Sequence, residues 1–180
     1  MFADLFNFEK TVQVFAYLLK KTGPIRTDSY VRLLKLAYMA DRESLNRRGF
    51  TITGDRVFAM KNGPVLTRTY DLIRERDTRS REWSRFFTRT RFDLVLTEDP
   101  GTGRLSRADM DLLDAVWDQH SDKDQWQLVE ITHTFPEWKR HYHEGTSTEI
   151  PMDDVVNEVG HAGDLEDLAT EAVMNRLFGA

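Results

Sequence analysis

The sequence predicts a mainly α fold: a compact single-domain bundle of about seven helices with a small β-hairpin or short sheet. Three observations carry this. Apolar residues recur three and four apart along most of the chain, the spacing that gathers them on one face of a helix. Only residues 56–61 and 92–97 read as strands, each beside a turn rich in Gly and Pro. The length, 180 residues, is about one domain's worth at ~150 residues per domain, and 40% hydrophobic content can bury a core unaided.

Phe8, Val12, Phe15 and Leu19 give the first helix its apolar face. Asn7 can cap it, and Gly23-Pro24 ends it near residue 21. Thr27 or Asp28 caps a second helix that runs to about residue 48, where Gly49 supplies the stop. Tyr30, Leu33, Leu34, Leu36, Ala37, Tyr38 and Leu45 make it apolar over more than one stripe, so it is central. Residues 51–55 form a turn and 56–61 a short strand, and Asn62-Gly63-Pro64 then punctuates. Proline is preferred at the first helical position, so a third helix is expected to start at Pro64 or Val65 and end near residue 76.

Residues 77–91 have weak periodicity and read as a surface loop or short helix, and 92–97 as a strand entering a turn. Ser106 opens another helix, with Asp109 three places on and Leu112, Leu113, Val116 and Trp117 inward. Asp124 caps a short helix over 125–133, Thr134-Phe135-Pro136 breaks it, residues 137–141 add one more turn, and residues 144–148 form a loop. A helix through Val155, Val156 and Val159 follows, and Gly160 and Gly163 separate it from a last one over 164–177.

The absence of cysteine removes disulfides, thiol nucleophiles and Cys-type zinc sites together. No GxSxG, GxxxxGK[ST] or GxGxxG occurs. Asp153-Asp154 reads as a solvated helix N-terminus rather than a catalytic pair. His133, His141 and His143 cluster with Glu137 and Glu144, but His141 and His143, two apart on a helix, point to different sides. No enzyme activity, metal or cofactor is therefore expected. No apolar run approaches the ~20 residues of a membrane span. The N-terminus lacks a basic segment and carries Asp4 and Glu9, so a cytoplasmic protein with no membrane partner is expected.

Charge is split along the chain. Residues 1–107 hold 21 Lys and Arg against 13 Asp and Glu; residues 108–180 hold 4 against 17. Either one half meets a partner of opposite sign, or the halves meet each other across an internal or homodimeric contact, or exposed faces have simply drifted in sign. From Arg74 to Arg91 seven arginines interleave with Trp83, Phe86 and Phe87. That composition suits a protein interface, a single-stranded nucleic acid, or a loop with buried aromatics and solvated arginines. The acidic remainder of the chain argues against nucleic acid.

Four segments in order carry a resemblance: YVRLLKLAY from Tyr30, FAMKNGPV from Phe58 with Tyr70 beyond, LVEITH from Leu128 with Trp138 beyond, and IPMDDVV from Ile150. Together they resemble the Panacea domain, the SocA-like antitoxin family, over about residues 8–159, with residues 160–180 as a C-terminal helical extension of a single domain. Asn62 stands where that family usually has an aromatic, and the charged stretch from Arg74 to Arg91 is longer than its common pattern. The resemblance implies an antitoxin of a bacterial or phage toxin–antitoxin pair that neutralises its cognate toxin by direct contact. A protease adaptor delivering a client for degradation is the alternative. Candidate partner-binding residues are Lys61, Asn62 and Gly63 at the turn and Arg79, Arg81, Trp83, Arg85 and Phe86 as anchors. Pro64 sets the chain reversal, and His133 and Trp138 are expected to be architectural, packing the short helix onto the central one.

Overall fold

A computed structural model describes residues 5–160. The chain runs α1 (Phe8–Lys21), β1 (Thr27–Ser29), α2 (Tyr30–Arg48), β2 (Val57–Met60), β3 (Gly63–Leu66) and α3 (Thr67–Ile73). It continues through α4 (Ser80–Trp83), β4 (Phe87–Arg89), β5 (Asp93–Leu96), α5 (Arg107–His120), α6 (Gln125–His133), α7 (Pro136–His141), β6 (Thr148–Ile150) and α8 (Met152–Val159). The mainly α expectation holds, with eight helices among the described residues. In place of one small β element there are two antiparallel three-stranded sheets, ordered β1-β5-β4 and β3-β2-β6. The helix expected over 164–177 lies outside the described residues.

The axis is α2, packed against α1, α5, α6, α8 and strand β3. Its apolar residues point in several directions, and Leu33, Leu36, Ala37, Tyr38 and Ala40 are all buried. Burial all round a helix forces its polar residues to find partners. Arg32 pairs with Asp28 and donates through Nε to the Lys123 carbonyl at 2.8 Å. Asp41 accepts from the Ile52 and Thr53 amides at 2.7 and 3.0 Å and from the Thr53 hydroxyl, which ties the 51–55 turn to the helix. Asp55 in turn accepts from the Arg68 and Thr69 amides at 3.0 and 2.8 Å, satisfying first-turn donors of α3. Burial, working against these hydrogen bonds, pushes both carboxyls up to about 6.

Three helix starts match their sequence signals, the first with Asn7 accepting from the Lys10 amide at 3.0 Å. Ser106 and Asp109 form a capping box on α5, and Asp124 and Gln127 form one on α6. Two expected starts are corrected. The segment offered as the cap of α2 is strand β1, and the helix begins at Tyr30, because Thr27 and Ser29 pair with Val95 and Asp93. Pro64 is not a first helical residue. It sits in β3 opposite Ala59, and the helix waits until Thr67. β3 is an edge strand, where a proline is tolerated because no ladder bond needs its missing N–H.

Candidate partner-binding surface

The β2–β3 hairpin turns at Lys61 and Asn62, both exposed, with Met60 opposite Gly63. Gly63 has φ +93°, a left-handed conformation that side chains disfavour. A Cβ there would lie 2.5 Å from Thr132 Oγ1 and 3.2 Å from Lys35 Nζ, so glycine lets the strand reach both α6 and α2. Lys35 Nζ donates to the Pro64 carbonyl at 2.7 Å. Only 1% exposed, this lysine pairs with no carboxylate among the described residues, and burial lowers its pKa to about 7.

The hairpin's other strand is gripped from α6 and α7. Trp138 Nε1 donates to the Met60 carbonyl at 2.9 Å. His133 Nε2 lies 3.1 Å from the Lys61 carbonyl; a carbonyl only accepts, so Nε2 carries the proton in this contact. The two rings stack at 4.1 Å, and Tyr142 stacks on Trp138 at 4.7 Å. Next to Trp138, the buried Glu137 accepts from the Tyr38 hydroxyl and from Arg42 Nε, each at 2.7 Å. Burial and the Glu137 carboxylate together push the Tyr38 phenol well above its ordinary range. Arg42 also lies 4.4 Å from the centre of the Phe135 ring. The ring nitrogens of His133 and Trp138 thus hold the hairpin, and Glu137 ties α7 to α2.

Sequence reasoning singled out Lys61, Asn62, Gly63, Pro64, His133 and Trp138 separately, and the fold brings them to one place. It passed over Lys35, Tyr38 and Thr132 as site residues and weighed Glu137 only within the histidine cluster. A signal for Lys35 existed: a lone lysine inside LLKLAY, on a helix apolar all round, must bury its amine.

The arginine-rich stretch lies elsewhere and divides in two. Arg79 is tied down, pairing with Glu82 at 2.8 Å and with Glu9 of α1 at 3.0 Å over the face of Phe8. Glu82 first of all, helped by Glu9, raises its pKa against the opposing effect of desolvation. Trp83, expected as a surface anchor, is 3% exposed and packs between Phe15 at 5.5 Å and Phe87 at 4.3 Å. The turn of α4 rotates it inward, so it serves the core. Arg81 and Arg85 are exposed, and Phe86 is half-buried. Phe86 joins Phe8, Val12, Pro100 and Arg104 around a shallow depression of about 170 Å³. That is smaller than the ~300 Å³ at which small-molecule clefts begin.

Much of the sequence's charge split is settled internally. Lys10 and Arg48 both reach Asp109 at 2.8 Å, Lys21 meets Asp114 at 2.5 Å, and Arg56 meets Glu149 at 2.6 Å. Burial opposes ionisation of Asp109, yet Lys10 and Arg48 outweigh it and hold its carboxyl below the usual range. The three histidines do not converge. His141 contacts Asp154 at 2.5 Å, His133 faces the hairpin and His143 is exposed. Among the described residues no group of three His, Cys, Asp or Glu side chains is arranged to hold a metal. No helix among them is long and apolar enough to cross a membrane.

Residues 33–139 match the family model described as antitoxin SocA-like, Panacea domain. That span holds Lys35, Tyr38, the hairpin, Thr132, His133, Glu137 and Trp138. No curated protein and no solved structure matches the chain.

Proposed function

The chain belongs to the SocA-like antitoxin family, defined by the Panacea domain, and on that premise we propose that it neutralises a cognate toxin by direct protein contact. The observation that carries this is the family match, and the clamp around the β2–β3 hairpin is what gives it a physical form. Lys35, His133 and Trp138 all bind hairpin carbonyls, at Pro64, Lys61 and Met60. Such a clamp fixes the backbone of the turn before any partner arrives, which lowers the ordering cost of binding. Lys61 and Asn62 then stand exposed on a rigid base. Inhibition of this kind requires a preorganised surface and no catalytic group. Arg81, Arg85 and Phe86 supply a second contact region, with arginine the residue type enriched at binding hot spots.

The test is co-expression with the protein encoded by the adjacent reading frame. That protein alone should arrest growth, and this chain should restore it. Restored growth at an undiminished toxin level supports occlusion, and restored growth with toxin loss supports delivery to a protease. Arrest that persists in the presence of this chain rejects the antitoxin assignment.

A further inference from the structure

Trp126 stands 56% exposed in the first turn of α6. The chain's other three tryptophans each have a ring or a guanidinium against them. Trp83 lies between Phe15 and Phe87, Trp117 takes the Arg32 guanidinium at 4.8 Å, and Trp138 is stacked by His133 and Tyr142. Phe92, also exposed, is met by Arg91 at 4.8 Å. Among the described residues neither a ring nor a cation lies against Trp126. Tryptophan is one of the residue types most enriched at binding hot spots.

Glu130 follows four residues later, which sets it one turn on along the same face of the helix. It too is exposed, and its carboxylate meets no cation and accepts no hydrogen bond among the described residues. Elsewhere in this half of the chain Asp109, Asp114, Glu137, Glu149 and Asp154 all meet a cation. From residue 118 to 130 the acids are Asp118, Asp122, Asp124 and Glu130, and the one lysine or arginine, Lys123, is held by Asp122 at 2.8 Å. Asp124 accepts from the Trp126 and Gln127 amides at 2.8 and 2.9 Å, so a carboxylate already meets the positive end of α6. The same face continues to His133, which holds the Lys61 carbonyl at the hairpin turn. The step from residue 126 to 133 is about 10 Å along the helix, so Trp126 and the turn fit under one partner.

An open indole face with a carboxylate one turn away is suited to a guanidinium or an ammonium group. We propose that the outer face of α6 docks a basic segment of the toxin, one of whose arginines or lysines lies over Trp126 and pairs with Glu130. This rests on the antitoxin assignment above and names the chemistry of the partner that the surface takes.

The test uses the full chain and the purified protein from the adjacent reading frame, with the dissociation constant measured by calorimetry. Both side chains are exposed, so their variants should melt with the native chain. The expected result is at least tenfold weaker binding for Trp126→Ala and for Glu130→Lys, with a smaller loss for Trp126→Phe, which keeps a ring. Affinity of the native chain should fall as salt rises. A benzoylphenylalanine photocrosslinker in place of Trp126 should join to a partner peptide that contains arginine or lysine. Native affinity in both Trp126→Ala and Glu130→Lys, or a crosslink only to a second copy of this chain, overturns the α6 proposal and leaves the antitoxin assignment standing. Weakening by Trp126→Ala with native affinity in Glu130→Lys overturns the basic occupant. Absence of binding and protection by the native chain overturns the proposal and the assignment together.

Discussion

Lys35 Nζ donates to the carbonyl of Pro64 across 2.7 Å, and through that bond the central helix holds the strand that follows the hairpin turn. Either form of the amine can donate, but only the neutral form avoids an unpaired buried charge. The native state therefore sheds this proton at about 7, and the unfolded chain keeps it to about 10.5. Between those values the unfolded state binds more protons, so stability rises with pH. Urea denaturation from pH 7 to 10 should show an increase on the order of 3 kcal/mol. Asp41 and Asp55, at about 6, titrate below this window, while Tyr17 and Tyr38, raised in the native state, oppose the rise only as pH nears the ordinary phenol value of 10. Lys35→Met should flatten the rise; an unchanged slope in that variant would assign it to other groups.

Gly63→Ala should cost roughly 2–4 kcal/mol, combining the left-handed backbone penalty with the contact at Thr132 Oγ1. Adding Thr132→Ala removes the hydroxyl that the new methyl meets and should return part of the loss. A double-mutant cycle by urea denaturation reads this coupling, and strict additivity would show that the approach of β3 to α6 is loose.

Trp83 and its arginine neighbours should separate cleanly. Trp83→Ala empties a site bounded by Phe15 and Phe87 and should cost about 3–5 kcal/mol. Arg81→Ala and Arg85→Ala should stay within about 0.5 kcal/mol of the native chain in thermal melts. Equal effects at all three positions would place Trp83 outside the core.

Glu137→Ala leaves Arg42 and the Tyr38 hydroxyl without their carboxylate and should cost about 3–5 kcal/mol. Tyr38→Phe, which leaves the Arg42 pair intact, should cost much less, about 1 kcal/mol. Calorimetric melts of the two variants distinguish these cases.

What sequence revealed of the fold was local in origin. The boxes at Ser106 and Asp109 and at Asp124 and Gln127 are complete within four residues; the Ser106–Asp109 spacing and the Asp124 cap were readable in advance, and the part of Gln127 was not. The strand over Val57–Met60 announced itself through the turn beside it. β1 and β6 gave no such signal, because three-residue strands exist only through partners such as Val95 for Thr27 and Val57 for Ile150. Gly63-Pro64 suits a helix entry and an edge strand equally, and the choice was made by β2 rather than by the dipeptide. Trp83 sits among arginines in a stretch without period, so composition offered its burial as one reading among three and could not select it. At the candidate site the motif residues were visible one by one. Their convergence was not, since it depends on α2, α6 and α7 meeting one hairpin.

The last strand to join is β6, whose Ile150, Glu149 and Thr148 lie opposite Val57, Phe58 and Ala59. During synthesis β2 leaves the ribosome about ninety residues before its second neighbour does. One flank of β2 thus waits bare while every element from β3 to α7 is made. A nascent chain released early by a stop upstream of Thr148 would lack that flank's cover, making translation through Ile150 a condition for a finished sheet.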